Sequence, residues 1–380
     1  MKIEDARYNI IIHMFTFIPA SLYQTFYLSI VTILTIVLYN RYRDCDGLLD
    51  YSHEYSDLKT IFLALFFVFF IGLRPVSAKY FVDMFDYAQY YSAIYEGEQF
   101  RFDVHTNNIL FDNLFAWWGS VRLGYTSFFL FIAAIYFGAA YLGIRRLFPN
   151  HVFVAYLVFL AAFSTFSYAT NGIKAGAAAS LFILALGYRD NLKVCIPLVL
   201  VSWGFHHSMI MLVAAFVMTL FIKNPKLYFC IWIFCFVMAA AHVTAFAHFF
   251  SGFTTEHGAE YLLGDGSNDG TKGGFRLDFI LYSAVPVVVG WYAIFIKKLE
   301  LSHCYQNLLN LYLCLNGIWM LCMYANFTNR IAYMSWFLYP IVLIYPLLQE
   351  QWGENRYKAF NWALLGHLGF TLFMDIVYYG

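Results

Sequence analysis

Apolar residues in this chain come in long runs separated by short polar stretches. The runs fall at roughly 8–39, 59–73, 125–144, 151–170, 173–188, 227–250, 275–296, 305–324, 331–348 and 358–378. A helix crossing a bilayer needs about 20 apolar residues, so the pattern predicts successive spans. The runs at 59–73 and 173–188 are short for that role. The stretch 194–222 is too long for one span and too short for two full ones, and it carries Pro197 and the pair His206-His207 near its middle.

Charge decides how that stretch is read. Lys and Arg concentrate in cytoplasmic loops. If 194–222 folds back as two short helices, Arg41/Arg43/Lys59, Arg145/Arg146, Arg189/Lys193, Lys223/Lys226, Lys297/Lys298 and Arg356/Lys358 collect on one side. A single crossing would scatter them over both. The hairpin gives about 11–12 spans with both termini outside. The resulting expectation is an all-α, polytopic transmembrane helical bundle, a single membrane-embedded domain over 1–380 with short interfacial helices. Its two outer-face segments would be 74–124 and 251–274.

Composition agrees. The 380 residues are 62% hydrophobic and 12% charged, against about 25% charged in an ordinary soluble domain. Lys+Arg and Asp+Glu cancel at 23 each, so the basic footprint of a nucleic-acid binder is missing. Seven cysteines without a CxxC suggest neither a zinc site nor a disulfide framework.

The candidate chemistry lies in cations on the side where cations should be sparse. Arg74 ends an apolar run, Lys174 sits in the turn Asn171-Gly172-Ile173-Lys174, Arg276 opens a span after two glycines, and Arg330 follows Asn326-Phe327-Thr328-Asn329. Singly, each reads as a side chain snorkelling to the headgroups. Together they suit a phosphate or pyrophosphate, because an Arg fork takes two phosphate oxygens and Lys adds a point charge. No metal site is expected.

Asp83-Met84-Phe85-Asp86-Tyr87-Ala88-Gln89-Tyr90-Tyr91 places 83, 87 and 91 on one helical stripe and 86 and 90 on another. Carboxylates and phenol rings in a stripe suit carbohydrate, with Asp86, Tyr87 and Tyr91 as sugar contacts; belt tyrosines on an interfacial helix are the other reading. His206, followed by His207 and Ser208, is a candidate general base or a cap on a helix break. Asp83 is the second candidate base. An EF-hand start at Asp265 fails because position twelve is Arg276, and the glycine-rich run 264–274 lacks a P-loop ending.

Five stretches resemble the EpsG family of exopolysaccharide proteins, which overlaps the Wzy-type O-antigen polymerases. They are Gly72-Leu73-Arg74 with Asp83 to Tyr87, Asn171-Gly172-Ile173-Lys174-Ala175-Gly176, Phe205-His206-His207-Ser208, Gly273-Gly274-Phe275-Arg276-Leu277-Asp278, and Asn329-Arg330-Ile331-Ala332-Tyr333. The likeness spans roughly 60–348 in order; Lys174 replaces the family's usual Arg, and Phe81 stands where Gly often precedes the Asp.

The resemblance implies a GT-C-like glycosyltransferase of the bacterial inner membrane with its active site facing the periplasm. It would join oligosaccharide repeat units carried on undecaprenyl pyrophosphate, by an inverting, metal-independent transfer without a cofactor. Arg74, Lys174, Arg276 and Arg330 would hold the pyrophosphate, and His206 or Asp83 would take the acceptor proton. Membrane lipids and a chain-length regulator are the other implied partners. An O-antigen ligase shares the cationic pocket but carries one large late periplasmic segment. A flippase would show internal repeats and midplane charges.

Overall fold

The computed structural model describes residues 17–42, 53–251, 274–325 and 328–378, with side chains omitted at 41–42, 53–56 and 251. Arg43, Lys272, the Asn326-Phe327 pair and, apart from Ser251 and Gly274, the expected outer segment 251–274 lie outside the described residues. Every regular element among the described residues is helical. The chain clusters into two compact units, residues 1–209 with 367–380, and residues 210–366.

The first unit contains α1 (Tyr23–Tyr42), α2 (His53–Gly72), α3 (Val82–Tyr90), α4 (Ile109–Ser120), α5 (Tyr125–Leu147), α6 (Val152–Leu160), α7 (Phe163–Thr170), α8 (Ile173–Gly187) and α9 (Leu192–Phe205). Its centre is α5, packed on α8 and α2, with α9 against the other side of α8. Small residues make the α5–α8 contact close. A Cβ at Gly143 would stand 2.8 Å from the Ile183 backbone, the kind of approach that drives helix association where lipid removes the hydrophobic incentive.

The second unit contains α10 (Met209–Phe221), which begins at its boundary, then α11 (Pro225–Ala240), α12 (Ala245–Ser251), α13 (Leu277–Trp291), α14 (His303–Leu321), α15 (Thr328–Trp336), α16 (Tyr339–Leu348) and the start of α17 (Arg356–Leu372). Here α14 is central, packing on α11 and α15. Some buried polar side chains pair with one another: Trp232 donates to the Asn316 side chain at 2.8 Å, Asn316 donates to Ser335, and Trp336 donates to Ser283 at 2.7 Å. In hydrocarbon such groups need internal partners.

Among the described residues, five helical segments are long and apolar enough to cross a membrane: 20–40, 125–147, 277–296, 328–348 and 356–378. The bent pair α6–α7 brings the number to six. The expectation of 11–12 is therefore not met by length and composition among the described residues. Helices α8 to α11 are apolar but have 13–16 residues, about 20–24 Å at 1.5 Å per residue, short of the roughly 30 Å hydrocarbon core. The run 8–39 yields a helix only from Ala20, after Pro19, within the described residues. As expected, 194–222 divides into two helices around His206-His207-Ser208.

The run 151–170 departs from a plain span. It bends by 72° at Ala161-Ala162, with neither proline nor glycine at the break. Carbonyls around the break accept from side chains, Phe159 O in addition to the Ala162 N–H. His367 Nε2 donates to Val158 O at 3.0 Å, Thr165 Oγ1 to Phe159 O at 2.6 Å, the Tyr27 hydroxyl to Leu160 O at 2.7 Å, and Thr371 Oγ1 to Ala161 O at 2.8 Å. Four consecutive helix-end acceptors thus find donors where water is absent.

Candidate functional site

The first unit assembles its polar groups around the start of α8. Lys174 Nζ lies 2.8 Å from Asp112 of α4 and stands over the rings of Tyr87 and Phe111, at 5.3 and 4.9 Å from their centroids. Within about 6 Å a ring face attracts a cation. Asp112 also accepts weakly from the Asn108 backbone and side chain, and Asn108 Oδ1 accepts from the His207 N–H at 3.1 Å. The expected site residues Lys174 and Tyr87 are therefore brought together. Asp112, which joins them, was not singled out in the sequence.

Arg74, which shares a cavity lining with Ile173 at the start of α8, has a different role. It is 3% exposed; its two terminal nitrogens donate to Ile71 O at 2.7 Å and Thr170 O at 2.9 Å, while Nε has no hydrogen-bond partner. It closes the C-terminal ends of α2 and α7, where carbonyl dipoles favour a cation. Burial pulls its pKa down to about 10, with Tyr23 and Asp83 acting in the opposite sense, so it stays charged at neutral pH. Arg74 also lines a small cavity with Tyr136, Tyr168 and Ile173.

The stripe on α3 divides as its spacing suggested, with one correction. Asp83 and Tyr87 are half-buried and Asp86 is exposed. Tyr91 is 1% exposed. Its hydroxyl accepts from the Gly124 N–H at 2.9 Å, and burial raises its pKa. In this structure Tyr91 is a core residue, not a sugar contact, because the chain after α4 folds over it.

His206 follows the end of α9. Its Nδ1 accepts the Ser208 hydroxyl at 2.6 Å and the Ser208 N–H at 3.3 Å. Two donors on one nitrogen place the proton of a neutral ring on Nε2. The lone pair a base needs is occupied locally, which fits the capping reading of this histidine.

The second unit carries the other two cations at one end. Phe279 meets Trp336 at 4.8 Å between ring centroids, and Tyr282 stacks on Tyr339 at 4.2 Å. The partners advance together, so 277–296 and 328–348 run parallel in register. Arg276, preceding α13, is then level with Tyr333, and Arg330 lies about one turn, 4.5 Å, beyond. Two helix N-termini and two guanidinium residues share this end of the unit. Arg276 forms a bidentate pair with Asp278, at 3.0 and 2.7 Å, and stacks over Phe279 at 4.0 Å. Arg330 is exposed.

The four expected cations divide two and two between the units. Arg74 is spent on carbonyls, Lys174 on Asp112 and Arg276 on Asp278. Among the described residues no group of three or more His, Cys, Asp or Glu is arranged to hold a metal.

The EpsG family model matches residues 58–378, and the chain belongs to the EpsG family. It is a multi-pass membrane protein of polysaccharide-polymerase type. No curated protein and no solved structure matches it.

Proposed function

We propose that this protein lengthens a surface glycan at the outer face of the bacterial inner membrane. The donor is the growing chain on a polyprenyl pyrophosphate, with undecaprenyl the carrier expected in bacteria; the acceptor is a repeat unit on the same kind of lipid. In the transfer an acceptor hydroxyl oxygen bonds to the donor's anomeric carbon as the bond from that carbon to the pyrophosphate breaks. The hydroxyl proton passes to a base, the pyrophosphate leaves on its lipid, and direct displacement inverts the anomeric centre.

The parallel register of 277–296 and 328–348 carries this reading. It sets Arg276, Arg330 and two positive helix ends at one face, and charge of that sign is what a leaving pyrophosphate requires as its own charge develops. Asp278 does not block the role. A part-exposed ion pair contributes about 0–1 kcal/mol, so a pyrophosphate with more charge and more acceptor oxygens displaces it readily.

In the first unit, Lys174, Asp112 and Tyr87 handle sugar, with ring faces for stacking and charged groups for hydroxyls. We take Asp83, a half-buried carboxylate within reach of the Arg74 charge, as the base, and His206 as the cap that its bonds with Ser208 make it. Arg74 supports the glycan-handling cluster by joining the ends of α2 and α7. The GT-C-like arrangement is the architecture that this chemistry would use.

The test is a deletion strain complemented with Arg276→Ala or Arg330→Ala at matched membrane abundance. Loss of long chains, leaving single repeats, is expected. Wild-type chain lengths from both would refute the pyrophosphate assignment, and unligated long chains in the deletion strain would point to a ligase.

A further inference from the structure

A groove of about 430 Å³ opens on the first unit beside the pair Lys174–Asp112, lined by Tyr95, Glu98, Gln99, Phe100, Arg101 and Ala116. Its volume lies within the roughly 300–1,000 Å³ usual for small-molecule sites. The loop that forms one wall is tied down at both ends. Gly97 donates to Gly119 O at 3.1 Å. Six residues on, the Asp103 N–H donates to the Asn113 side chain and Asn113 donates back to Asp103 O, both at 2.7 Å. Residues 98–102 therefore arch between two fixed points on α4.

The opposite wall is equally fixed. Gly119 lets the Tyr95 backbone close on α4, since a Cβ there would stand 2.7 Å from Tyr95 O. The Tyr95 ring is held edge-on by Phe115 and Tyr90, at 5.4 and 5.3 Å. Ala116 lies one helical turn after Asp112, so groove and ion pair are neighbours along α4.

The lining joins two aromatic rings and the apolar side chains of Ala93, Ile94 and Ala116 to one carboxylate, one amide and one guanidinium, with no excess of either charge. A phosphate-rich ligand would call for surplus cations, and a lipid tail for a wall without the charged and amide groups of Glu98, Gln99 and Arg101. Rings for stacking beside mixed donors and acceptors match a hydroxyl-rich, weakly charged oligosaccharide. We infer that this groove is a subsite for glycan residues behind the reacting end, so that it grips the chain between additions. The inference rests on the polymerase reading above.

The full-length protein in nanodiscs is tested by saturation-transfer NMR. The probe is the oligosaccharide released by partial acid hydrolysis of the host's own surface polysaccharide. Wild type should show transfer to the sugar protons, and the double variant Gln99→Ala/Phe100→Ala should bind about tenfold more weakly, the factor that corresponds to about 1.4 kcal/mol. Arg101→Gln, also in the exposed arch, serves as a second variant and should weaken binding in the same direction. No transfer to wild type, or undiminished binding by both variants, overturns the subsite. The parent reading fails separately: wild-type polymer from both Arg276→Ala and Arg330→Ala would sink it whatever the groove binds.

Discussion

Lys174 and Asp112 form an ion pair at 2.8 Å across 62 residues of sequence, with both side chains about one-fifth exposed. The lysine is held by the carboxylate on one side and by the faces of Tyr87 and Phe111 on the other. Replacing Lys174 with Met removes the cation but keeps most of the stem's volume. Long-chain polymer should disappear on a polysaccharide gel, while unfolding in detergent should shift by only about 1 kcal/mol, as for a part-exposed pair. Lys174→Arg should retain polymer, since the guanidinium keeps the charge and reaches the same carboxylate.

Asp278 offers a test of opposite sign in the second unit. Its carboxylate occupies Arg276 through two hydrogen bonds, and any pyrophosphate must displace it. Asp278→Asn weakens that hold, so binding of a polyprenyl pyrophosphate by purified protein should tighten several-fold. Arg276→Ala should lose it. If both substitutions leave affinity unchanged, Arg276 is a surface cation that no anion uses.

His206 separates the capping reading from base catalysis. Its Nδ1 accepts from Ser208 in the turn between α9 and α10. His206→Asn supplies an acceptor at a similar reach, and polymer length should stay near wild type; Asp83→Asn should cut turnover steeply with donor binding retained. The reverse outcome, steep loss with His206→Asn and little with Asp83→Asn, returns the base to the histidine.

How much of this was legible in the sequence depends on how far each cause reaches along the chain. The helix break at His206-His207-Ser208 showed because local length and charge decided it. Lys174 stood out because a cation at a tight turn beside an apolar helix is conspicuous. Asp112 did not, because its partner lies 62 residues away and its own helix reads as ordinary interfacial sequence. Tyr91 fell on the right stripe, but helical spacing says which residues share a face and not which face the rest of the chain covers. The bend in 151–170 left no local mark at all. Neither proline nor glycine signals it, and three of its four donors come from residues 27, 367 and 371.

Those donors give a stability prediction that no catalytic argument confounds. Tyr27→Phe leaves Leu160 O without its donor, and Thr371→Val does the same at Ala161 O. A buried acceptor stripped of its partner costs about 1–3 kcal/mol, with no water in the bilayer core to substitute. Each variant should unfold in detergent at lower denaturant concentration. Because both act on one bend, the double variant should deviate from additivity, as neighbours sharing a backbone segment do. Additive losses would mean that the carbonyls are held independently and that the bend persists without them. A coupled loss would identify the bend as a cooperative element maintained by side chains from the two ends of the chain.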